Sequence, residues 1–288
     1  MHLENTIIKN EFLNVTISSH GAQITSVKDE KSEERIHQPD MIFWTGQAPV
    51  LFPFCGNVKD KKIVHNGKEY PMTKHGFARD MEFDLLEWAE DFAVFSLVAN
   101  EETKKIYPFD FEFIVTYKLL GNSIDVSYEV INDSKENMYF AVGSHEAYIC
   151  IDGLGEYEIH FEKEEDKKPY IFETGKLLEK FFTVKDNHSV ISLCDELFEG
   201  GTTVIFDSLS SDFVYLKNKN GDNKIRVEFE DAKHLLLWTK PHSQFICIEP
   251  WTILPDTEKS PLEISKKQGI ISLSPDGHYE NHHIISFF

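Results

Sequence analysis

The chain has 288 residues, 41% of them hydrophobic, and its 29 basic and 49 acidic side chains give a formal net charge of −20. A protein with this charge repels a phosphate backbone or an anionic membrane surface unless its cations are grouped, and the sequence shows no basic patch. The opening MHLENTIIKN lacks the basic and apolar parts of a signal peptide, and no apolar run approaches the ~18 residues of a membrane span. We therefore expect a cytoplasmic protein whose partners are neither nucleic acids nor membranes.

The spacing of the cysteines and the lack of repeats or linkers indicate how the chain is organised. Cys55, Cys150, Cys194 and Cys247 are widely spaced and form no C-x-x-C pair. This spacing argues against zinc ribbons and redox motifs and fits reduced, buried thiols. Because no internal repeat, low-complexity tract or Pro- and Gly-rich linker divides the sequence, we predict a single domain over residues 1–288.

Alternation of apolar and polar residues with period two dominates the chain. Residues 111–119 and 124–130 alternate on either side of Gly121 and Asn122, which predicts a long antiparallel hairpin with one buried face. A second hairpin is predicted where Asn220 and Gly221 supply positive φ angles. Similar runs are LNVTIS (13–18), AVFSLVAN (93–100), TTVIFD (202–207), HLLLWT (234–239) and QFICIEPW (244–251). This density of strands predicts an all-β fold, a large antiparallel β-sandwich.

Helical patterns are scarce. GKLLEKFF (175–182) could form a turn or two, and SPLEISKKQG (260–269) resembles a short capped helix that ends at Gly269. The charge run EKEEDKK (162–168) is most simply a solvated loop. These segments are expected to connect strands.

Two loop-like segments carry residues suited to binding. MTKHGFARDMEF (72–83) places His75 and Arg79 where a loop passes into a strand, and such segments hold function more often than the elements they join. In PVLFPFCGNVKD (49–60) a glycine between an apolar run and a polar segment would let a ligand approach closely.

Two strand-like segments carry candidate proton carriers. In AVGSHEAYIC, His145 is a candidate proton carrier because the reference pKa of histidine lies near working pH. The alternative interpretation is a hydrogen-bonded core histidine without a catalytic role. In QFICIEPW, Glu249 ends a strongly apolar strand, so its carboxylate is either desolvated or paired, and both conditions perturb the pKa.

Other chemistries lack their signatures. The segment SHEAYI breaks the H-E-x-x-H zinc pattern, and His282 and His283 would point to opposite sides of a strand. G-x-S-x-G, G-x-x-x-x-G-K and G-x-G-x-x-G are also absent. We therefore expect neither a metal nor an organic cofactor. Two histidines and a carboxylate on an aromatic-rich β scaffold suit acid/base work on an uncharged, hydroxyl-rich molecule.

The motifs PVLFPFCGNVKD, HGFARD, YPFDFEF, AVGSHEAY and CIEPWTILPD occur in this order, and with them the chain resembles the aldose 1-epimerase (galactose mutarotase) superfamily, most closely its LacX-like bacterial branch. The hexose-6-phosphate mutarotase branch is a more distant relation. The likeness runs from the N-terminal strands to Asp256. The resemblance implies a large β-sandwich, often called a supersandwich, which agrees with the strand pattern.

The resemblance also implies roles for individual residues. Glu249 matches the family glutamate that takes the proton from the anomeric hydroxyl, and His145 matches the histidine that protonates the ring oxygen. His75 matches a second histidine that hydrogen-bonds the sugar. Arg79 would bind a hydroxyl or phosphate, or brace its loop. For stacking on the sugar, Trp251 and Phe77 are the candidates, and ordinary core residues are the alternative.

The sequence departs from the family pattern at two positions. Asn57 stands where many relatives have a sugar-binding arginine, and it can donate hydrogen bonds only over a shorter reach and without charge. Glu146 stands where relatives commonly have proline, and its negative charge beside His145 would raise the histidine pKa. For the aspartate that contacts sugar hydroxyls in true galactose mutarotases, the candidate is Asp207, and a solvent-exposed loop aspartate is the alternative.

Three functions are compatible with these residues. The first is a mutarotase acting on a free or phosphorylated hexose, and the second is a carbohydrate-binding protein without turnover. The third is a glycoside hydrolase, which needs a second carboxylate at about 5 to 9.5 Å from Glu249. The net charge of −20, with Arg79 as the only cation inside a motif and Lys59 and Lys74 nearby, predicts a neutral hexose as the preferred substrate. The sequence does not predict an oligomeric state.

Overall fold

The computed structural model of the protein describes residues 5–165, 169–173, 176–179 and 189–288. Within these ranges, none of the helices has the length and apolar character needed to cross a membrane.

Most regular structure in the described ranges is β-strand. In chain order the first eleven strands are β1 (Asn5–Lys9), β2 (Leu13–Ser18), β3 (Ile24–Asp29), β4 (Lys62–His65), β5 (Lys68–Pro71), β6 (Asp84–Trp88), β7 (Phe92–Val98), β8 (Phe111–Leu120), β9 (Ser123–Asn132), β10 (Met138–Phe140) and β11 (Ala147–Ile149). The others are β12 (Tyr157–Phe161), β13 (Tyr170–Glu173), β14 (Lys176–Glu179), β15 (Val190–Ser192), β16 (Thr203–Asp207), β17 (Phe213–Asn218), β18 (Asn223–Glu228), β19 (His234–Trp238), β20 (Phe245–Trp251), β21 (Ile271–Leu273) and β22 (His278–Phe287). The all-β prediction is confirmed.

In the part of the chain that the structure describes, helical structure is limited to short 3₁₀ turns. They are Lys59–Lys61, Ala78–Asp80, Thr103–Lys105, Leu154–Glu156, Asp195–Leu197, Glu199–Gly201 and Ile264–Lys266. The helix predicted over 260–269 is therefore wrong except for one turn, because Ile264 is fully buried and Lys267 forms a buried ion pair with Asp256. These tertiary contacts decide the local conformation.

The helical turn predicted in GKLLEKFF is also wrong where the structure describes it. Lys176–Glu179 is a strand that pairs antiparallel with Tyr170–Glu173. Residues 175 and 180–182 of this segment lie outside the described ranges. The charge run at 162–168 is not uniformly solvated, because Glu165 is buried and accepts hydrogen bonds from the backbone N–H groups of Ser210 and Ser211. Residues 166–168 of the run are likewise not described.

Two large antiparallel sheets contain most of the described strands. One has nine strands in the order β15-β12-β17-β18-β22-β9-β8-β7-β6, and the other has six in the order β11-β20-β19-β16-β13-β14. Smaller sheets are formed by β1-β2-β3, β4-β5 and β10-β21. Phe161 on β12 and Phe206 on β16 come from different large sheets, and their ring centroids lie 4.9 Å apart. The large sheets therefore pack together over a shared apolar core, as in a β-sandwich.

Both predicted hairpins are present. β8 and β9 pair from Phe111↔Asn132 to Leu120↔Ser123, with alternate residues buried. β17 and β18 pair around a connection over residues 219–222, and of its residues only Gly221 has positive φ, at +91°. The expectation of positive φ at Asn220 is wrong, because this connection is longer than a two-residue turn and includes a register shift after Leu216.

Strand β20 positions the candidate site. Its sequence FICIEPW does not alternate because every residue is buried. Ile246 and Ile248 belong to the core shared by the sheets, whereas Cys247 and Trp251 belong to smaller clusters covered by the chain between β3 and β4. Since alternate residues share a face, Glu249 lies on the same outer face as Cys247 and Trp251. A carboxylate is thus placed in a covered, largely apolar environment.

The cysteine and histidine expectations are largely confirmed. All four cysteines are free, and Cys55, Cys150 and Cys247 are buried while Cys194 is partly exposed. His282 and His283 point to opposite sides of β22, since His282 is exposed and His283 is buried.

Candidate active site

A cavity of about 200 Å³ lies over the outer face of the six-stranded sheet. This volume is below the range of pockets for drug-sized ligands and suits a small molecule. The strands contribute the floor, and the segments before β4 and before β6 contribute the walls. Its lining residues are Trp44, Pro49, Gly56, Asn57, Lys74, His75, Arg79, His145, Phe172, Thr203, Ile205, Leu236, Trp238, Lys240, Glu249, Trp251 and Pro255.

His145 and Glu249 form the centre of this cavity. The backbone N–H of Ser144 donates to the carbonyl of Pro250, which extends the pairing of β11 with β20 and sets His145 opposite Glu249. Nε2 of His145 lies 3.4 Å from Oε2 of Glu249. Among the described residues, Nδ1 of His145 and Oε1 of Glu249 have no hydrogen-bond partner. Both side chains therefore keep hydrogen-bonding capacity for a ligand.

Burial perturbs these groups in opposite directions. Burial raises the pKa of Glu249 well above its ordinary value, and the nearby charge of Lys74 opposes this shift. Burial, with the charges of Lys74 and Arg79, lowers the pKa of His145 to about 3. Burial and the neighbouring His145 also lower the pKa of His75 well below its ordinary value. At neutral pH both histidines are therefore uncharged, and Glu249 retains its proton to a higher pH than an exposed glutamate does.

His75 is held by reciprocal hydrogen bonds to Gly56. The backbone N–H of His75 donates to the Gly56 carbonyl at 2.9 Å, and the backbone N–H of Gly56 donates to Nδ1 of His75 at 3.1 Å. Because Nδ1 accepts, the proton of the neutral imidazole is on Nε2, which makes Nε2 a donor. His75 has a φ of +69°, a left-handed conformation that is uncommon outside glycine and clusters at functional sites.

Gly56 is required where it packs under the cavity wall. Its φ is +72°, and a Cβ there would lie 2.7 Å from Cβ of Pro255 and 2.8 Å from Cζ3 of Trp251. The sequence predicted that a ligand would approach this glycine closely. The groups that approach it are instead Pro255 and Trp251, and the absence of a side chain also lets the Gly56 backbone reach His75.

Three tryptophans surround the paired groups. Trp44 stacks against His145 with ring centroids 5.2 Å apart, and Trp238 meets the same imidazole edge-on at 5.8 Å. Trp251 lies edge-on to His75 at 5.5 Å and donates from Nε1 to the Ser144 carbonyl. The predicted ring Trp251 therefore reaches the cavity. The flat apolar walls suit the faces of a sugar ring.

The cavity carries more positive charge than the sequence indicated. Lys74, Arg79 and Lys240 all line it, and Glu249 is the only acidic residue among the described residues that line it. Nε of Arg79 lies 3.6 Å from the Asp80 carboxylate. Lys74 is already near Arg79 in the sequence, whereas Lys240 is brought to the cavity by the fold. The preference for a neutral hexose stays a prediction.

Asn57 lines the cavity and also braces its wall. Its side-chain amide donates to the Asp256 carbonyl at 3.2 Å, and the backbone N–H of Asp256 donates to the Asn57 carbonyl at 2.9 Å. The Asp256 carboxylate is itself fixed by the buried ammonium of Lys267 and the backbone N–H of Lys59. One donor of Asn57 is therefore already used within the protein.

Two other predicted site residues lie elsewhere. Phe77 is in the aromatic core, with its ring centroid 6.2 Å from Phe52 and 6.0 Å from Tyr107, and it does not line the cavity. Asp207 lies 3.0 Å from Nδ1 of His234 at the end of β16 and also does not line it. Sugar stacking by Phe77 and hydroxyl binding by Asp207 do not fit these positions.

Glu146 does not act on His145 as the sequence suggested. Adjacent residues in extended backbone point to opposite sides, and Oε1 of Glu146 lies 3.2 Å from Nε2 of buried His283 on β22. The lowered pKa of His145 shows that burial outweighs any influence of this neighbour. Burial and the charge of Glu146 instead raise the pKa of the Tyr128 and Tyr148 hydroxyls.

Sequence reasoning missed several residues around the cavity. Trp44 comes from an irregular segment, which gave no pattern to place it. Trp238 and Cys247 are register partners on β19 and β20. Cys247 lies two residues before Glu249 on β20, and this period-two spacing is the sequence signal that places both side chains on the same face.

The chain belongs to the aldose 1-epimerase family, because the sequence profile described as Aldose 1-epimerase matches residues 4–286. A curated relative is "Protein LacX, plasmid" from Lactococcus lactis subsp. lactis, which is 34% identical over 294 aligned residues and covers 92% of this chain and 98% of the relative. The family is a class of isomerases, so the predicted family and enzyme class are confirmed.

Two solved structures have the same fold. One is a galactose mutarotase related enzyme from Lactobacillus acidophilus, with a TM-score of 0.90, 28% identity and coverage of 99% of this chain and 97% of that one. The other is a galactose mutarotase-like protein from Lactobacillus casei ATCC 334, with a TM-score of 0.90, 27% identity and coverage of 99% and 100%. These likenesses confirm the galactose mutarotase-like architecture.

Proposed function

We propose that the chain interconverts the α and β anomers of a hexose as an aldose 1-epimerase. The observation that carries this proposal is the 3.4 Å approach of His145 to Glu249 inside a covered cavity of monosaccharide size. Family membership supports the class of reaction. No redox cofactor is required, because the ring opens and closes with proton transfers and without net oxidation or reduction.

The reaction is balanced by two proton transfers in each direction. Glu249 accepts the proton of the C1 hydroxyl while His145 gives a proton to the ring oxygen, so the bond from C1 to the ring oxygen breaks and C1 becomes an aldehyde. Rotation about the C1–C2 bond then presents the opposite face of the aldehyde. On closure His145 takes back the proton from the former ring oxygen, and Glu249 returns its proton to O1.

The proposed cycle requires that His145 and Glu249 together carry one proton. In the free site the raised pKa of Glu249 and the lowered pKa of His145 keep that proton on the carboxyl group. Its transfer across the short gap produces an imidazolium, which is the acid, and a carboxylate, which is the base. A glutamate with an ordinary pKa would lose the shared proton well below neutrality. Burial therefore raises the pH at which the pair loses its shared proton.

The other lining groups have supporting roles. His75 donates from Nε2 to a sugar oxygen, because its Nδ1 is occupied by Gly56. Trp44 and Trp238 restrict the imidazole of His145 and exclude water from the reacting atoms. Trp251 provides an apolar wall.

The two alternative functions lose support at specific residues. Asn57 and Glu146 are the two departures that favour a binding protein without turnover. Glu146 faces His283, so this support is lost. Asn57 lines the cavity with one amide donor already used, so its support remains. A glycoside hydrolase needs two carboxylates about the scissile bond, and the described lining contains only Glu249.

A hexose phosphate is a second candidate substrate. Lys74, Arg79 and Lys240 provide three cations around one small cavity, and charge-assisted hydrogen bonds to phosphate are stronger than bonds between neutral groups. This local field opposes the repulsion expected from the net charge of −20.

Anomer exchange measured by NMR on freshly dissolved α and β forms tests the proposal. The panel should contain glucose, galactose and their 6-phosphates, each at the same concentration with and without protein. We expect catalysed exchange of at least one hexose. No exchange above the spontaneous rate for any of them, together with saturable sugar binding, would support the non-catalytic alternative.

A further inference from the structure

Cys247 lies beside the proposed proton carriers. Ligand atoms of His145, Cys247 and Glu249 all lie within 4.8 Å of one another, and all three side chains are buried. Cys247 and Glu249 are two positions apart on β20, so their side chains share a face. Cys247 is not a lining residue of the cavity and has no part in the proposed reaction.

The three groups have electron pairs available for a ligand. Nδ1 of His145 has no hydrogen-bond partner among the described residues. Oε1 of Glu249 also has none there. Imidazole, thiolate and carboxylate groups are usual ligands of transition metal ions.

We propose that His145, Cys247 and Glu249 bind one thiophilic divalent cation of the Zn²⁺ class. Zinc bonds to sulfur, nitrogen and oxygen are about 2.0–2.3 Å long, which separates tetrahedral ligand atoms by roughly 3.3–3.8 Å. Small side-chain rotations would bring the three groups from within 4.8 Å to this spacing. Three protein ligands leave the fourth position to water from the cavity. Mg²⁺ and Ca²⁺ prefer oxygen ligands and fit this set poorly.

Binding forms metal–sulfur, metal–nitrogen and metal–oxygen bonds and releases the protons of the thiol and the carboxyl group to solvent. No oxidant or reductant is involved. The affinity of the site for the cation should therefore rise with pH. The cation would occupy both proton carriers, so it acts as a reversible inhibitor, and this consequence alone depends on the proposed epimerase function.

A second cluster provides an internal comparison. Ligand atoms of Glu129, His278 and Glu280 also lie within 4.8 Å of one another, on the exposed ends of β9 and β22. This cluster contains no sulfur. A spectroscopic probe that reports a thiolate ligand therefore distinguishes the buried site from the surface one.

Titration of the full-length protein with Co²⁺, in the presence of a phosphine reductant, tests the site. We expect one Co²⁺ per chain to give a thiolate-to-cobalt charge-transfer absorption, and Zn²⁺ to displace it. The absorption should disappear in Cys247→Ser and Cys247→Ala, with Zn²⁺ affinity lowered more than about tenfold. It should persist in Cys150→Ser, Cys194→Ser and His278→Ala. Absence of the absorption in the wild type, or its loss in Cys55→Ser but not in Cys247→Ser, would overturn the proposal.

Inhibition is measured separately. We expect Zn²⁺ to slow anomer exchange in the wild type, EDTA to restore it, and Cys247→Ser to exchange at the wild-type rate with at least tenfold weaker inhibition. Equal inhibition of the wild type and Cys247→Ser would contradict the inhibitory role. If the wild type lacks exchange activity, the proposed function fails while the cobalt absorption still decides the metal site.

Discussion

Gly56 and His75 are joined by two hydrogen bonds that run in opposite directions: the backbone N–H of His75 donates to the Gly56 carbonyl, and the backbone N–H of Gly56 donates to Nδ1 of the His75 imidazole. This arrangement fixes the tautomer of His75 and depends on a residue without a side chain at position 56. The conformation of the loop around Gly56 therefore determines that Nε2 of His75 is the hydrogen-bond donor available to the sugar.

Gly56→Ala tests this packing. The new Cβ would approach Pro255 and Trp251 within 2.7–2.8 Å, so we expect about 1–3 kcal/mol less stability from overpacking, beyond the cost of positive φ. Gly67→Ala is the matched control, because Gly67 has a φ of +77° and a Cβ there would meet nothing within 4 Å. Chemical denaturation measures both. Equal losses in the two variants would show that the contacts around Gly56 are unimportant.

The pH dependence of kcat/KM tests the shared proton. The pair is active with one proton, so activity should be lost as pH falls towards 3, where His145 also protonates, and as pH rises through the raised pKa of Glu249. Because burial lowers the pKa of His145, no acid limb is expected at the ordinary histidine pKa of about 6.5. Because Lys74 lowers the pKa of Glu249, Lys74→Gln should move the basic limb to higher pH. A rate that rises with pH through the ordinary glutamate or histidine range would argue for a different protonation state.

Glu146 is expected to matter for stability and little for turnover. Glu146→Ala leaves the buried imidazole of His283 without its partner, and an unsatisfied buried polar group costs about 1–3 kcal/mol. The exposed pair His20 and Glu82, at 2.9 Å, gives the control: Glu82→Ala should cost at most about 1 kcal/mol. Denaturant unfolding compares the two variants. A hundredfold fall in kcat for Glu146→Ala with unchanged stability would instead place Glu146 in the reaction.

The cations of the cavity should distinguish phosphorylated from neutral sugars. Lys240→Gln removes a charge from the lining, so KM for glucose 6-phosphate should rise about tenfold or more, while KM for glucose stays within about twofold. Lys9→Gln is a surface control, since Lys9 lies on β1 with its side chain largely exposed. Steady-state anomer exchange gives both constants. Equal changes for the two sugars would remove the case for a phosphate contact.

The sequence predicted more of the fold than of the site. Alternation is a local property, so the β8–β9 hairpin and the strand runs were found from it directly. The cavity depends on which strands become neighbours and which loops cover them. Lys240 and Trp44 line the cavity from segments far apart in the chain. The hydrophobic periodicity of a sequence does not indicate such long-range contacts.

Individual residues show the same limit. His145 and Glu249 were identified through family motifs, and the strand pairing brings them together. Glu146 was assigned to the wrong neighbour because sequence adjacency suggested proximity, whereas extended backbone turns adjacent side chains apart. Phe77 sits inside a functional motif but packs in the core. Motif membership alone therefore does not determine whether a residue reaches the ligand.

The most direct test of the account is kcat for anomer exchange in Glu249→Gln, measured with the best substrate of the panel and compared with His145→Asn and His75→Asn. Glutamine keeps the shape of the side chain but cannot carry the shared proton, so kcat should fall roughly 10²- to 10⁴-fold with sugar binding nearly unchanged. His145→Asn should behave similarly, the double variant should be much less than additive in log rate, and His75→Asn should raise KM more than His145→Asn does. If the wild type catalyses exchange and Glu249→Gln retains more than about a tenth of its kcat, Glu249 is not a proton carrier in this protein.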